Sequence, residues 1–300
     1  MKTLVVITGP TAVGKSHLSE RLACHYHIPI INADSRQIYQ GMTIGTAAPT
    51  AETLAAIKHH FVGILPLGSY YNAAMFEEDV LRLLEQQQEE VALLSGGSMM
   101  YIDAVCNGID DIPTVDDTLR ETLKQRLAAE GLESLLEELR QLDPEYYDMV
   151  DKKNTRRVVH GLEICLQTGC TYTSFRKRQT KQRPFHIVKI GLNRPREELY
   201  QRINKRVDQM MAEGLLEEAR QLLPFRQENA LNTVGYKELF AYFDGKFTLD
   251  EAVERIKGNT RRYARKQLTW YKRDANMHWF NPDDEDTIIG FINSQVSTIG

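Results

Sequence analysis

Residues 4–16 read Leu4-Val5-Val6-Ile7-Thr8-Gly9-Pro10-Thr11-Ala12-Val13-Gly14-Lys15-Ser16. Residues 4–8 are an apolar run that predicts a buried strand, and residues 15–25 carry a helical pattern. Between them, residues 9–16 fit G-x-x-x-x-G-K-[ST] in the strand–loop–helix setting that this phosphate-binding motif requires. Glycines let successive backbone N–H groups wrap an anion, and the helix N-terminus adds partial positive charge. Lys15 supplies a full charge, and the Ser16 hydroxyl can hold Mg2+. The motif is common to nucleotide-binding and ATP-binding proteins, so it predicts a bound polyphosphate without naming it.

Further along, short apolar runs alternate with helical patterns. Residues 28–32, 91–94 and 186–192 read as strands, and residues 73–88 as a helix. Such alternation predicts an α/β fold with a parallel sheet covered by helices. Residues 113–185 hold helical runs rich in Leu, Glu and Arg and no strand pattern, which predicts a helical insertion. The expected division is a P-loop core over 1–112 and 186–300, with a helical insertion domain over 113–185. From 196 onward the chain reads as mostly helical, with an acidic loop at 281–286 before a closing helix.

The chain has 300 residues, 42% hydrophobic and 26% charged, with net charge -4. That composition excludes a disordered tail, a collagen-like repeat and a small disulfide scaffold. No apolar run reaches the ~18 residues of a membrane span, and the apolar start is too short for a signal peptide. Cys24, Cys106, Cys165 and Cys170 lack CxxC spacing, which predicts incidental thiols in a reducing, cytoplasmic setting.

Three further features bear on chemistry. The strand at 91–94 runs into Ser95-Gly96-Gly97-Ser98, with no carboxylate where a P-loop NTPase holds its metal; the glycine pair predicts close backbone approach to a ligand. Asp34 follows a strand end, where a parallel sheet places its ligand crevice. It is a candidate proton acceptor or metal ligand, and equally a turn residue of an Asp-Ser pair. Beside it, Ser35, Arg36 and Gln37 suit a polar second substrate. Finally, residues 255–273 contain eight Lys/Arg and no acid, with Tyr263, Trp270 and Tyr271 interleaved. Lys152, Lys153, Arg156 and Arg157 form a second basic cluster, and Arg176, Lys177, Arg178, Lys181 and Arg183 a third. In a chain of net negative charge this segregation predicts a polyanionic partner, with aromatic rings for base stacking. By themselves these residues leave open a small-molecule P-loop kinase and a non-catalytic RNA-binding protein.

The chain resembles the tRNA dimethylallyltransferases, also called tRNA isopentenyltransferases, over nearly its whole length. The resemblance lies in GPTAVGKS at 9–16, ADSRQIYQGMTIGTAAP at 33–49, GGSMMYIDAVCNGI at 96–109 and DPEYY at 143–147. It continues in NTRRVVHGLEICLQTG at 154–169, RINKRVDQMMAEGLLEEA at 202–219, NTVGYKELFAYFDG at 232–245 and TRRYARKQLTWYKRD at 260–274. The resemblance implies transfer of a dimethylallyl group from dimethylallyl diphosphate to the exocyclic amine of the adenosine just 3′ of the tRNA anticodon. The P-loop then holds a prenyl diphosphate with Mg2+. Asp34 falls on the family's general base and Arg206 on the arginine that holds the leaving diphosphate. Asp34, Ser35, Arg36 and Gln37 fall on tRNA-contacting segments, as do Arg156, Arg157, Val158, Val159 and His160 of the insertion, and Ser98 falls on a position near the tRNA. A monomer without membrane attachment is expected. Enzymes that prenylate free adenine nucleotides share the P-loop and the Asp; the insertion and basic clusters favour tRNA. Two departures stand out: GGSMMY replaces the commoner GGTGLY, and His160 stands where Arg is more frequent.

Overall fold

The computed structural model describes residues 2–177 and 179–297. Leu4 and Val6 pack into one hydrophobic cluster while Val5 and Ile7 pack into another. Successive side chains of a strand point to opposite faces, so this run must be apolar throughout because both faces of its sheet are covered. Six strands form that sheet: β1 (Thr3–Thr8), β2 (Ile30–Asn32), β3 (His59–His60), β4 (Val91–Ser95), β5 (His186–Leu192) and β6 (Met277–Phe280). Their order is β3-β2-β4-β1-β5-β6, and every pairing is parallel. All strands therefore end at one edge, where the loops after Thr8, Asn32 and Ser95 converge.

The helices between β1 and β5 are α1 (Lys15–Tyr26), α2 (Ala51–Ala56), α3 (Ala73–Gln86) and α4 (Met99–Asn107), then α5 (Asp117–Glu130), α6 (Leu132–Leu142), α7 (Pro144–Met149), α8 (Thr155–Thr168) and α9 (Tyr172–Phe175). After β5 come α10 (Arg196–Ala212), α11 (Leu215–Leu222), α12 (Tyr236–Phe243), α13 (Leu249–Tyr271) and α14 (Glu285–Ser297). The reading of a mostly helical chain from 196 onward does not pick out β6. This four-residue edge strand pairs only with β5, and its Met-His-Trp-Phe sequence is too short to show a period.

The chain divides into two compact units. One holds the residues up to Asn107 and from Gln182 on, and the other is Gly108–Lys181. Unit two is built from α5–α9 around Leu123, Leu135, Leu139, Val158, Leu162 and Ile164, all fully buried. Buried Asp143 caps α7 through Tyr146 N–H at 3.0 Å and accepts from Thr173 N–H and Oγ at 2.8 and 2.9 Å. A Cβ on Gly161 would lie 2.4 Å from the Tyr146 ring, so DPEYY and VHGLE are matched packing surfaces.

Among the described residues no helix is long and apolar enough to cross a membrane. All four cysteines are free thiols, with Cys106 and Cys165 buried. The third basic cluster is not one surface. Arg183 is buried, paired with buried Glu77 at 2.6 Å, and donates to the carbonyls of Ala104 and Val105. Its expected part in polyanion binding does not hold; the charge is neutralised inside the core unit. Lys181 pairs with Asp111 at 2.6 Å, and Arg178 lies outside the described residues.

Arg183→Ala leaves the Glu77 carboxylate buried without its cation, a change that typically costs about 3–5 kcal/mol. Urea melts are expected to show a loss of that size; a melt unchanged from wild type would return Arg183 to the surface.

Candidate active site

Three loops at the strand ends build the site. The first follows β1. Gly9 has φ +143°, and a Cβ there would lie 2.5 Å from the Leu192 carbonyl oxygen, so no other residue fits. Arg202 donates to the Ala12 carbonyl at 2.9 Å and Arg194 to the Val13 carbonyl at 2.8 Å. Gly14, at φ +121°, leads into α1. Lys15 folds over the loop and donates to the carbonyls of Gly9 and Pro10 at 3.0 and 2.9 Å.

The second loop carries Asp34. Its Oδ1 accepts from the N–H groups of Arg36 and Gln37 at 2.8 and 3.3 Å. Among the described residues its Oδ2 has no hydrogen bond, and the carboxylate lines both cavities described below. Asp34 is thus the turn residue that an Asp-Ser pair suggests, with one oxygen left over. The neighbouring side chains also hold their own chain: Arg36 donates to the Asn229 carbonyl at 3.0 Å, and Gln37 to the carbonyls of Thr46 and Ala47 at 2.9 and 3.0 Å.

The third loop follows β4. Ser98 Oγ accepts from Ser35 N–H at 2.8 Å and donates to Ser35 Oγ at 3.1 Å. The glycine pair lines the cationic cavity described below, and the missing Cβ atoms also make room for other parts of the chain. A Cβ on Gly96 would sit 2.2 Å from the Ala33 carbonyl oxygen, and one on Gly97 2.6 Å from the Gln267 amide. Both close approaches are to the protein itself. In place of a strand-end carboxylate, the Ser95 hydroxyl accepts from Ser19 Oγ at 2.7 Å. Met99 begins α4 and packs on the core while Met100 is exposed, and neither lines the cavities.

Two cavities meet here. One, of about 430 Å3, is lined by the P-loop, Lys15, Ser16, His17, Asn32, Arg202, Lys205, Arg206 and Gln267, and among the described residues Asp34 is its only carboxylate. The other, of about 370 Å3, has an apolar wall of Ile203, Val207, Met210, Leu215, Val234 and Ile256. Thr11, Asp34, Thr46, Arg206 and Tyr263 line both. Helix α10 serves both through its period: Arg202, Arg206 and Gln209 face the cationic cavity, and Ile203, Val207 and Met210 the apolar one. Segment 232–237 also lines the apolar cavity through Asn232, Thr233, Val234, Gly235 and Lys237. That segment and Gln267 fall in the stretches 232–245 and 260–274 that carry the family resemblance, but their residue types alone do not signal a site; their place in the fold does.

Burial, then the charge of Arg206, push the Lys15 ammonium down to about 7, against the pull of Asp34. Burial likewise lowers the Arg206 guanidinium, opposed by Asp34. Two buried cations, one of them lowered further by the charge of the other, make a cavity that an anion relieves. For Mg2+, the cationic cavity offers the oxygens of Ser16, Asn32 and Ser95 beside Asp34. Among the described residues no three His, Cys, Asp or Glu cluster to hold a metal. This sparse oxygen set fits Mg2+ that draws most ligands from a polyphosphate and water.

The basic clusters fare unevenly. In α13, Arg255 lies 3.9 Å from the Phe247 ring centroid and Lys257 pairs with Asp208 and Glu254. Tyr271 is buried in the core and Trp270 donates to Asp103 at 2.8 Å. The interleaved aromatics are therefore not the stacking platform expected; of the three, only Tyr263 reaches the cavities. In unit two, Arg156, Arg157, His160 and Arg176 line a groove floored by Tyr146 and Tyr172. Arg176 lies 5.3 and 5.6 Å from those two ring centroids, and His160 Nδ1 is 3.2 Å from Glu163. Val158 is fully buried, so its side chain is not available to RNA, and Val159 is half-buried.

A parallel sheet with a phosphate loop at its carboxyl edge defines a P-loop α/β protein. The family model described as IPP transferase matches residues 37–274. The tRNA dimethylallyltransferase 1 of Bacteroides fragilis is 58% identical over 297 residues, covering 98% of this chain and 99% of that protein. The tRNA dimethylallyltransferase of Christiangramia forsetii is 45% identical, covering 98% and 99%. The crystal structure of the full-length tRNA isopentenylpyrophosphate transferase of Bacillus halodurans is 35% identical with a TM-score of 0.72, covering 99% of this chain and 98% of that one. A eukaryotic dimethylallyltransferase acting on tRNA, 24% identical, shares the fold with a TM-score of 0.83 over 99% and 80% of the two chains. The chain belongs to the IPP transferase family.

Because Lys15 titrates near 7 in the free protein, an anion bound beside it must raise that value. Below pH 7 the ammonium is already charged; above it, binding must take up a proton. The affinity for inorganic diphosphate is expected to weaken from pH 7 to 9. Calorimetry in two buffers of different ionisation enthalpy should show the uptake at pH 8, and Lys15→Met should abolish it.

Proposed function

We propose that this protein is a tRNA dimethylallyltransferase. It moves the dimethylallyl group of dimethylallyl diphosphate to the exocyclic amine of the adenosine 3′-adjacent to the tRNA anticodon and releases diphosphate. The observation that carries this reading is the meeting of an apolar and a cationic cavity at Asp34 and Arg206. A prenyl diphosphate has the same two-part character, and the bond that breaks joins its two parts.

The amine lies inside a stacked loop, so the base must be swung out to be reached. Its nitrogen attacks the first allyl carbon, the carbon–oxygen bond breaks, and the electron pair leaves with diphosphate. The proton passes from nitrogen to Asp34 Oδ2, the oxygen that the turn leaves unused. Lys15, Arg202, Lys205, Arg206 and the N–H groups of Gly14, Lys15 and Ser16 oppose the charge that grows on the leaving group. Mg2+, bound beside Ser16, would supply further positive charge to the diphosphate oxygens. Arg156, Arg157 and His160 would hold RNA phosphates, with Tyr146 and Tyr172 beneath. The reading extends to a monomer acting in the cytoplasm, where its tRNA is found.

With unmodified tRNA, Mg2+ and radiolabelled dimethylallyl diphosphate but no ATP, label is expected in tRNA. Label in AMP instead, or phosphoryl transfer from ATP without prenyl transfer, would overturn the reading. Asp34→Asn keeps an acceptor for the two turn N–H groups and loses the base. It should bind tRNA normally and lose about 10²–10⁴ in kcat. Replacing Arg156 and Arg157 by Ala should raise the KM for tRNA. It should also flatten the plot of log affinity against log salt by about 0.7–0.9 for each phosphate no longer neutralised. The KM for dimethylallyl diphosphate should not change.

A further inference from the structure

Helix α13 lines both cavities with one stripe: Ile256, Thr260, Tyr263 and Gln267. The spacing i, i+4, i+7, i+11 keeps them on one face over about 16 Å. Gln267 stands at the cationic end and is 1% exposed. Its Oε1 accepts from Thr11 N–H of the P-loop at 2.9 Å, and its Nε2 donates to the Gly97 carbonyl at 2.8 Å. The Tyr263 hydroxyl reaches the same carbonyl at 3.5 Å.

We propose that Gln267 is a positioning residue for prenyl transfer, a brace that holds the P-loop and the β4 turn at the spacing the diphosphate requires. The assignment rests on the transferase reading above for the identity of the diphosphate. Three physical points support it. A carboxamide presents an acceptor to an N–H and a donor to a carbonyl from one planar group with no change of protonation. Gly97 must be glycine to admit that amide, since a Cβ there would lie 2.6 Å from Nε2 and 3.6 Å from Lys15 Nζ. The carbonyl that Gln267 covers faces the cavity of the Lys15 ammonium, where an uncovered oxygen would compete with an incoming anion for that charge. Thr11, whose N–H is held, lines both cavities, so a shift of the loop there misplaces the diphosphate against the apolar cavity. The brace acts through Thr11, Gly97 and Lys15, and Gln267 itself need not touch the reacting atoms.

The test uses the full-length protein with Gln267→Leu and Gln267→Glu. Gln267→Leu leaves the Thr11 N–H without its acceptor and the Gly97 carbonyl with only the long Tyr263 contact, and kcat/KM for dimethylallyl diphosphate is expected to fall about tenfold to a hundredfold. Binding of inorganic diphosphate, read by calorimetry, should weaken, while tRNA affinity stays within twofold of wild type. Gln267→Glu keeps the acceptor for Thr11 but sets a carboxylate against the Gly97 carbonyl and beside Lys15. Protonating that carboxyl restores a donor. Relative to both wild type and Gln267→Leu, its diphosphate affinity should therefore recover as pH is lowered from 8 to 5.5. Melting curves show whether each variant folds, and the pH signature reads the brace in Gln267→Glu even if Gln267→Leu does not. Wild-type diphosphate affinity in both variants, or equal loss of tRNA and diphosphate binding without recovery in acid, would overturn the proposal. If wild-type protein bound diphosphate but failed to prenylate tRNA, the transferase reading would fall while the calorimetric comparison still tested Gln267.

Discussion

Ala33 N–H donates to the Ser95 carbonyl at 2.7 Å, Ser98 N–H donates to the Ala33 carbonyl at 3.1 Å, and Gly96 has no Cβ where one would lie 2.2 Å from that carbonyl. This seam joins the ends of β2 and β4, and the site depends on it. It brings the turn holding Asp34 against the turn holding Gly97 and Ser98. The Ser98 hydroxyl can then hold Ser35, and the Gly97 carbonyl can meet the Gln267 amide. Through Gln267 the seam extends to Thr11 and so to the phosphate loop. Parallel strands make this possible, because only they bring three loops to one edge.

Two helices convert that edge into a pair of cavities. In α10 the basic and apolar residues alternate with the helical period, so adjacent stripes face the cationic and the apolar cavity. In α13 a single stripe runs the length of both. Burial lowers both Arg206, where the cavities join, and Lys15 in the cationic cavity, and the charge of Arg206 lowers Lys15 further. The free protein carries an electrostatic cost there that an anion removes. Asp34, among the described residues the one acid lining the cationic cavity, uses one oxygen in its own turn, which fixes the direction of the other.

Charge in the sequence did not translate simply into a surface for RNA. Arg183 reads like its neighbours in the third cluster, but it lies inside the core unit against Glu77. Tyr271 and Trp270 read like stacking residues, but the face of α13 that carries Tyr271 is the buried one, and Trp270 is tied to Asp103. Val158 lies beside exposed arginines in sequence and points into the core of the helical unit. In each case the residue type is compatible with both roles, and the helical phase relative to a packing partner chooses between them.

The sequence alone determined those features whose physics is local. A strand apolar on both faces must be buried, and Gly-x-x-x-x-Gly-Lys-Ser between strand and helix must present N–H groups to an anion. The elements at 4–8, 15–25, 73–88, 91–94 and 186–192 were legible because each carries its own period, and β3 and β6 were not because two or four residues carry none. Asp34 was legible as a candidate because a strand end precedes it, although its two oxygens could not be told apart. Tertiary structure decided which residues meet across long separations in the chain. Gln267 reaches Thr11 across 256 positions, and the glycine pair makes room for Ala33 and for the Gln267 amide. Such pairings depend on packing between distant segments, which leaves no periodic trace in either one.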